Sequence, residues 1–228
     1  MRENRYFLTQ KWKAFADEII SWAKKWKCGH KKGTKLWRAR VNPENKIDEK
    51  TWKAIPLDDD AMCAPPCDRA HEGRANPKGI PYLYLACDND TAIWEVKPYL
   101  GKHVTLSTFE LNKDVNLVDV SSGPLLLDLI LEFREKELSD KERENLIWAY
   151  INTYFSIPIS PEDDRCEYVP TQFLAELFKN NGFDGVQYRS SLKDSGHNVV
   201  LFDVKTASIK NKCVYRIHKI LYETKKVA

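Results

Sequence analysis

Between Gly73 and Glu95 the sequence GRANPKGIPYLYLACDNDTAIWE places Arg74 and Asn76 in a loop bounded by Gly73 and Gly79 and containing Pro77. An alternating run from Tyr82 to Ala86 follows, and then Thr91, Ala92, Ile93 and Trp94 lead to one carboxylate, Glu95. A planar guanidinium binds phosphate oxygens bidentately. A fixed carboxylate beside a sugar ring stabilises positive charge that develops there. These residue types in this order point to phosphate and sugar chemistry.

Further candidates flank that segment. Arg38 and Arg40 fall on one face of the alternating stretch Leu36-Trp37-Arg38-Ala39-Arg40-Val41. They suit phosphate, or they pair with surface carboxylates. Arg74 either meets a ligand or ties down its own loop. Glu95 follows Ala92 and Trp94, an apolar context in which an unpaired charge is costly. Ser190 and Ser191 offer hydroxyls to a site or serve as turn formers. Six cysteines, Cys28, Cys63, Cys67, Cys87, Cys166 and Cys213, are scattered through a chain with no export signal, so free thiols are expected. Cys28 and His30 with Cys63 and Cys67 amount to four tetrahedral ligands, but the spacing matches no standard zinc pattern. No metal is expected, and Cys63 and Cys67 belong to the turn at Ala64-Pro65-Pro66.

The elements that must hold these residues are readable from periodicity. Strands are predicted over 36–41, 82–86, 103–111, 115–120, 183–188 and 198–203, and a short helix over 91–100 with Asp90 as its N-cap. Ser139 and Glu142 have capping-box spacing ahead of Leu146, Ile147, Tyr150, Ile151 and Tyr154, which recur at helical intervals. A loop with Pro158, Pro161, Glu162, Asp163 and Asp164 leads to a helix from about Thr171 that stops at Gly182. Residues 42–68 read as irregular, and 212–221 as a closing strand or short helix. Strands and helices do not alternate, the dinucleotide fingerprint and the Walker loop are absent, and a mixed α+β body fits better than a doubly wound sheet.

At 228 residues, 43% hydrophobic and 11% aromatic, the chain can bury one sizeable core plus an appendage. No apolar run approaches the roughly 20 residues of a bilayer span. The beginning, MRENRYFLTQKWK, lacks an apolar signal region, so the cytoplasm is the expected location and no membrane contact is expected. Residues 1–35 hold ten Lys/Arg against three Asp/Glu, whereas the remainder is net acidic. Leu8, Trp12, Phe15, Ile19, Trp22 and Trp26 fall on one face of an amphipathic helix, with the lysines on the other. Tryptophans pointing away from lysines do not make a nucleic-acid surface, so the stripe is read as packing on the body. Gly29 to Gly33 reads as a hinge, giving a basic helical arm over 1–35, a body over 36–205 and a closing segment over 206–228.

Taken together, Trp37-Arg38, Pro65-Pro66, Gly73-Arg74-Ala75-Asn76-Pro77-x-Gly79, Leu83-Tyr84-x-Ala86, Thr91-Ala92-x-x-Glu95, Gly182-Phe183-Asp184-Gly185-x-x-Tyr188-x-Ser190-Ser191 and Asn198-Val199-Val200-Leu201-Phe202 resemble the RES domain, from about residue 36 to 205. The resemblance implies an ADP-ribosyltransferase-like fold, with a curved split sheet flanked by helices. It implies an enzyme that degrades NAD+ by phosphorolysis or hydrolysis, in many members a toxin restrained by an antitoxin. It maps the family arginines to Arg38 and Arg74 and the glutamate to Glu95. The serine maps to Ser190 by spacing back from Asn198, with Ser191 adjacent on the opposite face of a strand. Where the common toxin form has a tryptophan after the loop arginine this chain has Ala75, so that stacking contact is missing or comes from Trp37 or Trp94.

The residues suit the implied reaction. Cleaving the nicotinamide–ribose bond expels a neutral base and leaves positive charge on the ribose, the charge Glu95 would stabilise. Arg38 and Arg74 suit the diphosphate. Arg40, Ser190 and Ser191 are candidates for holding an attacking inorganic phosphate, while Asn76, Tyr84 and Asn198 complete the substrate-binding set, with Tyr84 placed to stack on nicotinamide or ribose. His71, His103 and His197 are not required. No cofactor is expected beyond NAD+ as substrate and phosphate as co-substrate. A small antitoxin protein is the expected partner, and a homo-oligomer is left open. The alternatives are an ADP-ribosyltransferase acting on a macromolecule and a non-catalytic nucleotide- or nucleic-acid-binding module.

Overall fold

The computed structural model describes residues 9–44, 46–132, 137–157 and 168–221, with the side chain at 132 excluded. Leu8, Cys166 and the acidic loop at 158–167 lie outside the described residues. Among the described residues eight strands form one mixed sheet in the order β1-β5-β6-β7-β3-β2-β4-β8, and β5 pairs parallel with β6. The strands are β1 (Lys27–His30), β2 (Lys35–Val41), β3 (Leu83–Ala86), β4 (His103–Leu111), β5 (Val115–Asp119), β6 (Gly185–Arg189), β7 (His197–Leu201) and β8 (Ala207–Arg216).

Period-2 alternation gives this sheet two buried faces. On one, Val118, Val186 and Val200 meet Ile19, Ile20 and Ala23 of α1 (Gln10–Lys25), Trp148, Ile151 and Phe155 of α5 (Asp140–Ser156), and Ala175 and Phe178 of α6 (Val169–Asn180). On the other, Leu36, Leu83, Leu85, Phe109, Leu117, Val199 and Leu201 form a second cluster. β4 and β5 stand well apart in the strand order yet both bury residues there, so the sheet curls on itself. The curl has a seam: β2 and β3 are joined at one residue pair, Trp37 with Ala86. The α+β body with a curved, split sheet and flanking helices is as the sequence resemblance implies.

Local signals explain most elements. At α5, Ser139 Oγ accepts from the Glu142 amide while the Glu142 carboxylate accepts from the Ser139 amide, the capping box that the spacing predicts. Helix α6 ends before Gly182, whose φ of +84° suits the left-handed position after a helix. The helix predicted over 91–100 is shorter and starts earlier, as α3 (Asn89–Glu95). Its N-cap is Asp88 and not Asp90, because Asp88 Oδ1 accepts from the Thr91 amide at 2.9 Å. Lys97 at φ 44° and the following Pro98 end it.

Other differences have tertiary causes. The stretch Gly29 to Gly33 is not a hinge. Lys27–His30 pairs antiparallel with β5, so the N-terminal segment contributes an edge strand to the sheet. Within 42–68 the chain forms the short helix α2 (Asp59–Met62), and a 3-10 turn follows at Cys67–Arg69. The helix α4 (Leu126–Glu132) has no counterpart in the prediction. The closing strand begins at Ala207 and follows β4 along its whole length, with an irregularity between Thr108 and Phe109.

Trp26 and Glu144 fasten the N-terminal segment. The buried Glu144 carboxylate accepts from Trp26 Nε1 at 2.9 Å, Lys25 Nζ at 3.1 Å and Lys141 Nζ at 3.2 Å, and Trp26 stacks on Trp148. Burial pushes that carboxyl up, but these donors outweigh it and hold its pKa below the ordinary value. The exposed end of the predicted stripe is Trp12.

Candidate active site

The seam between β2 and β3 opens into a cleft of about 320 Å³. Trp37, Arg38 and Ala39 line it from β2, Tyr84, Leu85 and Ala86 from β3, and Ala92 and Glu95 from α3. Gly73, Arg74, Val96, Tyr168, Tyr188 and Asn198 complete the wall. Strand pairing therefore carries residues from both ends of the sequence to one opening.

Glu95 is the focus of the polar contacts. Its Oε1 accepts from Ser190 Oγ and from Asn198 Nδ2, both at 2.7 Å. Ser190 and Asn198 are themselves buried, whereas Glu95, on the last turn of α3, keeps solvent access. Two donors on one oxygen fix the plane of the carboxylate. No donor among the described residues reaches Oε2, so that oxygen is open to a ligand. Ser190 also accepts from the Leu192 amide at 3.1 Å, which orients its proton towards Glu95. Ser191 is exposed, and of the two candidate serines Ser190 is the one that meets the carboxylate.

The arginines divide. Arg38 lines the cleft, and its Nη1 is buried with no hydrogen-bond partner among the described residues. Burial and the neighbouring Arg40 lower its pKa to about 10, so it stays charged at neutral pH. A buried, charged and unsatisfied donor is what an anionic ligand would complete. Arg74 also lines the cleft, but its Nη1 donates to the carbonyls of Phe155 and Ile157, both at 2.6 Å, and so caps the end of α5. Arg40 is outside the cleft lining and sits near Cys63, and burial lowers its pKa too.

Asn76 and Tyr84 form the floor beneath the loop. Tyr84 OH donates to Asn76 Oδ1 at 2.7 Å and accepts from the Ala75 amide at 3.0 Å, while Asn76 Nδ2 donates to the carbonyls of His71 and Pro77. Burial raises the Tyr84 and Tyr188 phenols well above their ordinary value, so both stay neutral. Gln172 Nε2 donates to the Gly73 and Asn76 carbonyls and holds the loop from α6. Gly73 leaves no free room for a side chain: a Cβ there would lie 2.8 Å from both Asn76 Oδ1 and Tyr84 Oη, and one of that hydrogen-bonded pair would have to shift. Asn76 is thus a scaffold for the Tyr84 ring rather than a cleft wall.

Trp37, not the half-exposed Trp94, supplies an indole to the cleft. Sequence reasoning did not assign Tyr168 or Tyr188 to the site. Tyr188 lies two residues before Ser190 on the alternating β6, a spacing that marks it, whereas nothing in the sequence marks Tyr168. Among the described residues no group of three or more His, Cys, Asp or Glu side chains could hold a metal ion, and no helix is long and apolar enough to cross a membrane.

Comparison with known proteins identifies the lineage. No curated protein matches the sequence. A chain of the Mycobacterium tuberculosis MbcT–MbcA toxin–antitoxin complex aligns at a TM-score of 0.43 and 12% identity, covering 86% of this chain and 91% of that one. The RES domain profile matches residues 35–221, spanning every strand that borders the cleft, and the chain belongs to the RES domain family.

Proposed function

We propose that this protein cleaves the bond between nicotinamide and ribose in NAD+ by phosphorolysis or hydrolysis, and that it serves as the toxin of a toxin–antitoxin pair. The observation that carries the reading is Glu95 at the cleft mouth, with Oε1 held by Ser190 and Asn198 and Oε2 without a donor among the described residues, beside Arg38, whose buried Nη1 has no partner among them either. Membership of the RES family supports it. As the C1″–N1 bond breaks, its electron pair leaves with neutral nicotinamide, and positive charge spreads over C1″ and the ring oxygen. Glu95 stabilises that charge more than it stabilises the substrate, so its effect falls on the rate of the chemical step. Arg38 completes its hydrogen bonds on the diphosphate, and Trp37, Tyr84 and Tyr188 wall the base and sugar from water. Water or inorganic phosphate then bonds to C1″, giving ADP-ribose or its 1″-phosphate with release of the nucleophile's proton.

The test is incubation of the purified protein with NAD+, with and without inorganic phosphate, and analysis of products by mass. Glu95→Gln should lower nicotinamide release by about 100-fold or more at little-changed KM. A phosphorylated ADP-ribose seen only with phosphate assigns phosphorolysis. Intact NAD+ under both conditions sinks the reading.

A further inference from the structure

Glu95 and Ser190 belong to different elements, and something must keep them at 2.7 Å. Ser190 opens a loop after β6 that returns at His197, closed within itself by the Ser190 amide on the Gly196 carbonyl and the Gly196 amide on the Lys193 carbonyl, both at 2.8 Å. This loop runs beside α3, a helix about 10 Å long. At one end Ser190 meets Glu95. At the other, Lys193 Nζ lies 2.7 Å from Asp88 Oδ1 and 3.7 Å from Asp90 Oδ2.

Asp88 is committed on both sides. It caps α3 by accepting from the Thr91 amide and from Thr91 Oγ1 at 2.6 Å, and it receives the Lys193 ammonium. Gly196 presses on the same threonine, since a Cβ there would lie 2.6 Å from Thr91 Oγ1. The Lys193 and Asp88 side chains are only 23% and 34% exposed, so water screens the pair less than a rim salt bridge. The hydrogen bond to Asp88 raises the lysine's pKa, while burial pushes the aspartate's up but its hydrogen bonds with Lys193 and Thr91 outweigh that and lower it, consistent with the contact.

We propose that Asp88 and Lys193 are positioning residues, a clamp that splints the 190–196 loop along α3 and so sets Ser190 and Asn198 against the Glu95 carboxylate. The inference rests on the NAD+ reading for its catalytic consequence, but its structural content stands apart from it. A carboxylate gripped through Ser190 loses its fixed plane when the loop lifts, and misplacement of this kind costs turnover before it costs binding.

The experiment uses Lys193→Met, Asp88→Asn, the double variant and Lys193→Arg in the full chain. Asparagine still caps a helix, so Asp88→Asn removes the ion pair and keeps α3. Each single change is expected to lower kcat for nicotinamide release about tenfold with KM unchanged within about twofold. The double variant should be no worse than either single, and Lys193→Arg should restore most of the rate. In the same proteins, hydrogen exchange at the Ser190, Leu192 and Gly196 amides should quicken about tenfold, while amides of β6 and β7 hold. Unchanged exchange in the loop, or losses that add in the double variant, would overturn the clamp. If the wild-type protein releases no nicotinamide, the NAD+ reading fails, and the exchange measurement still decides the clamp.

Discussion

Arg38 allows a prediction whose sign is opposite to that of an ordinary active-site mutation. Its pKa falls from 12.5 to about 10, with burial the main cause and Arg40 the second. That depression corresponds to about 3 kcal/mol against the charged form in the folded protein. Because the folded value lies below the unfolded one, the unfolded chain binds more protons between those two pH values. Stability therefore rises with pH across that window, and the full penalty is present at every lower pH, neutrality included. Arg38→Met keeps the apolar stem and removes the charge and the unsatisfied Nη1. We expect the ligand-free variant to be more stable by about 1–2 kcal/mol, less than the whole depression because the stem's packing changes. For a chain of this size that is a rise in Tm of about 3–6 °C. Pyrophosphate, as a probe of the diphosphate, should raise the wild-type Tm in a saturable way, by an amount equivalent to about 2.7 kcal/mol at a hundred times its Kd, and should do nothing to the variant. Thermal unfolding followed by near-ultraviolet circular dichroism, with and without pyrophosphate at fixed ionic strength, reads both effects. A ligand-free Arg38→Met that melts below the wild type would refute the reasoning, since it would show that the guanidinium is satisfied in the fold and not held for a ligand.

Ser190→Ala should reduce nicotinamide release by at least about tenfold, whereas Ser191→Ala, at an exposed position, should leave it within about twofold; equal effects would contradict the assignment of Ser190 to Glu95. Gly73→Ala forces a Cβ against Asn76 and Tyr84, and should destabilise by about 1–3 kcal/mol in urea titration and abolish turnover together. Removing the Glu144 carboxylate as Glu144→Ala leaves Trp26 Nε1 without its acceptor and should cost about 2 kcal/mol. Because Glu144 titrates below its ordinary value of 4.5, its contribution is present above that pH and lost as pH falls through the folded value. The wild type and Glu144→Ala should therefore converge in stability on acidification, and a gap that stays undiminished far below the ordinary value would argue against the ion-pair network.

Where the fold was legible in the sequence, a local pattern and the tertiary environment agreed. β4 alternates on either side of one break at Thr108-Phe109 and is found with the predicted bounds, and α5 announces itself by Ser139 and Glu142. β1 was not legible: Lys27-Cys28-Gly29-His30 has no apolar periodicity, and it is a strand because β5 offers it an edge. The carboxylate, both cleft arginines and the buried serine could be named from motif order. The hydrogen bond between Glu95 and Ser190 could not be read, because it joins residues 95 positions apart through folding alone. Spacing also gave no means to separate Arg38, which faces the cleft, from Arg40, which shares its strand and lies outside the lining.

The placement of β1 and α1 has a practical consequence. The family match begins at residue 35, where a truncation would naturally be made. A chain begun there loses β1 and uncovers the backbone amides and carbonyls of β5 from Val115 to Asp119, a ready template for strand addition. It also bares the apolar ground beneath Ile19, Ile20 and Ala23, including Val118, Val120 and Trp148. Such a fragment should self-associate on size-exclusion chromatography, so loss of activity after that truncation would report aggregation rather than a role for the basic segment in the reaction.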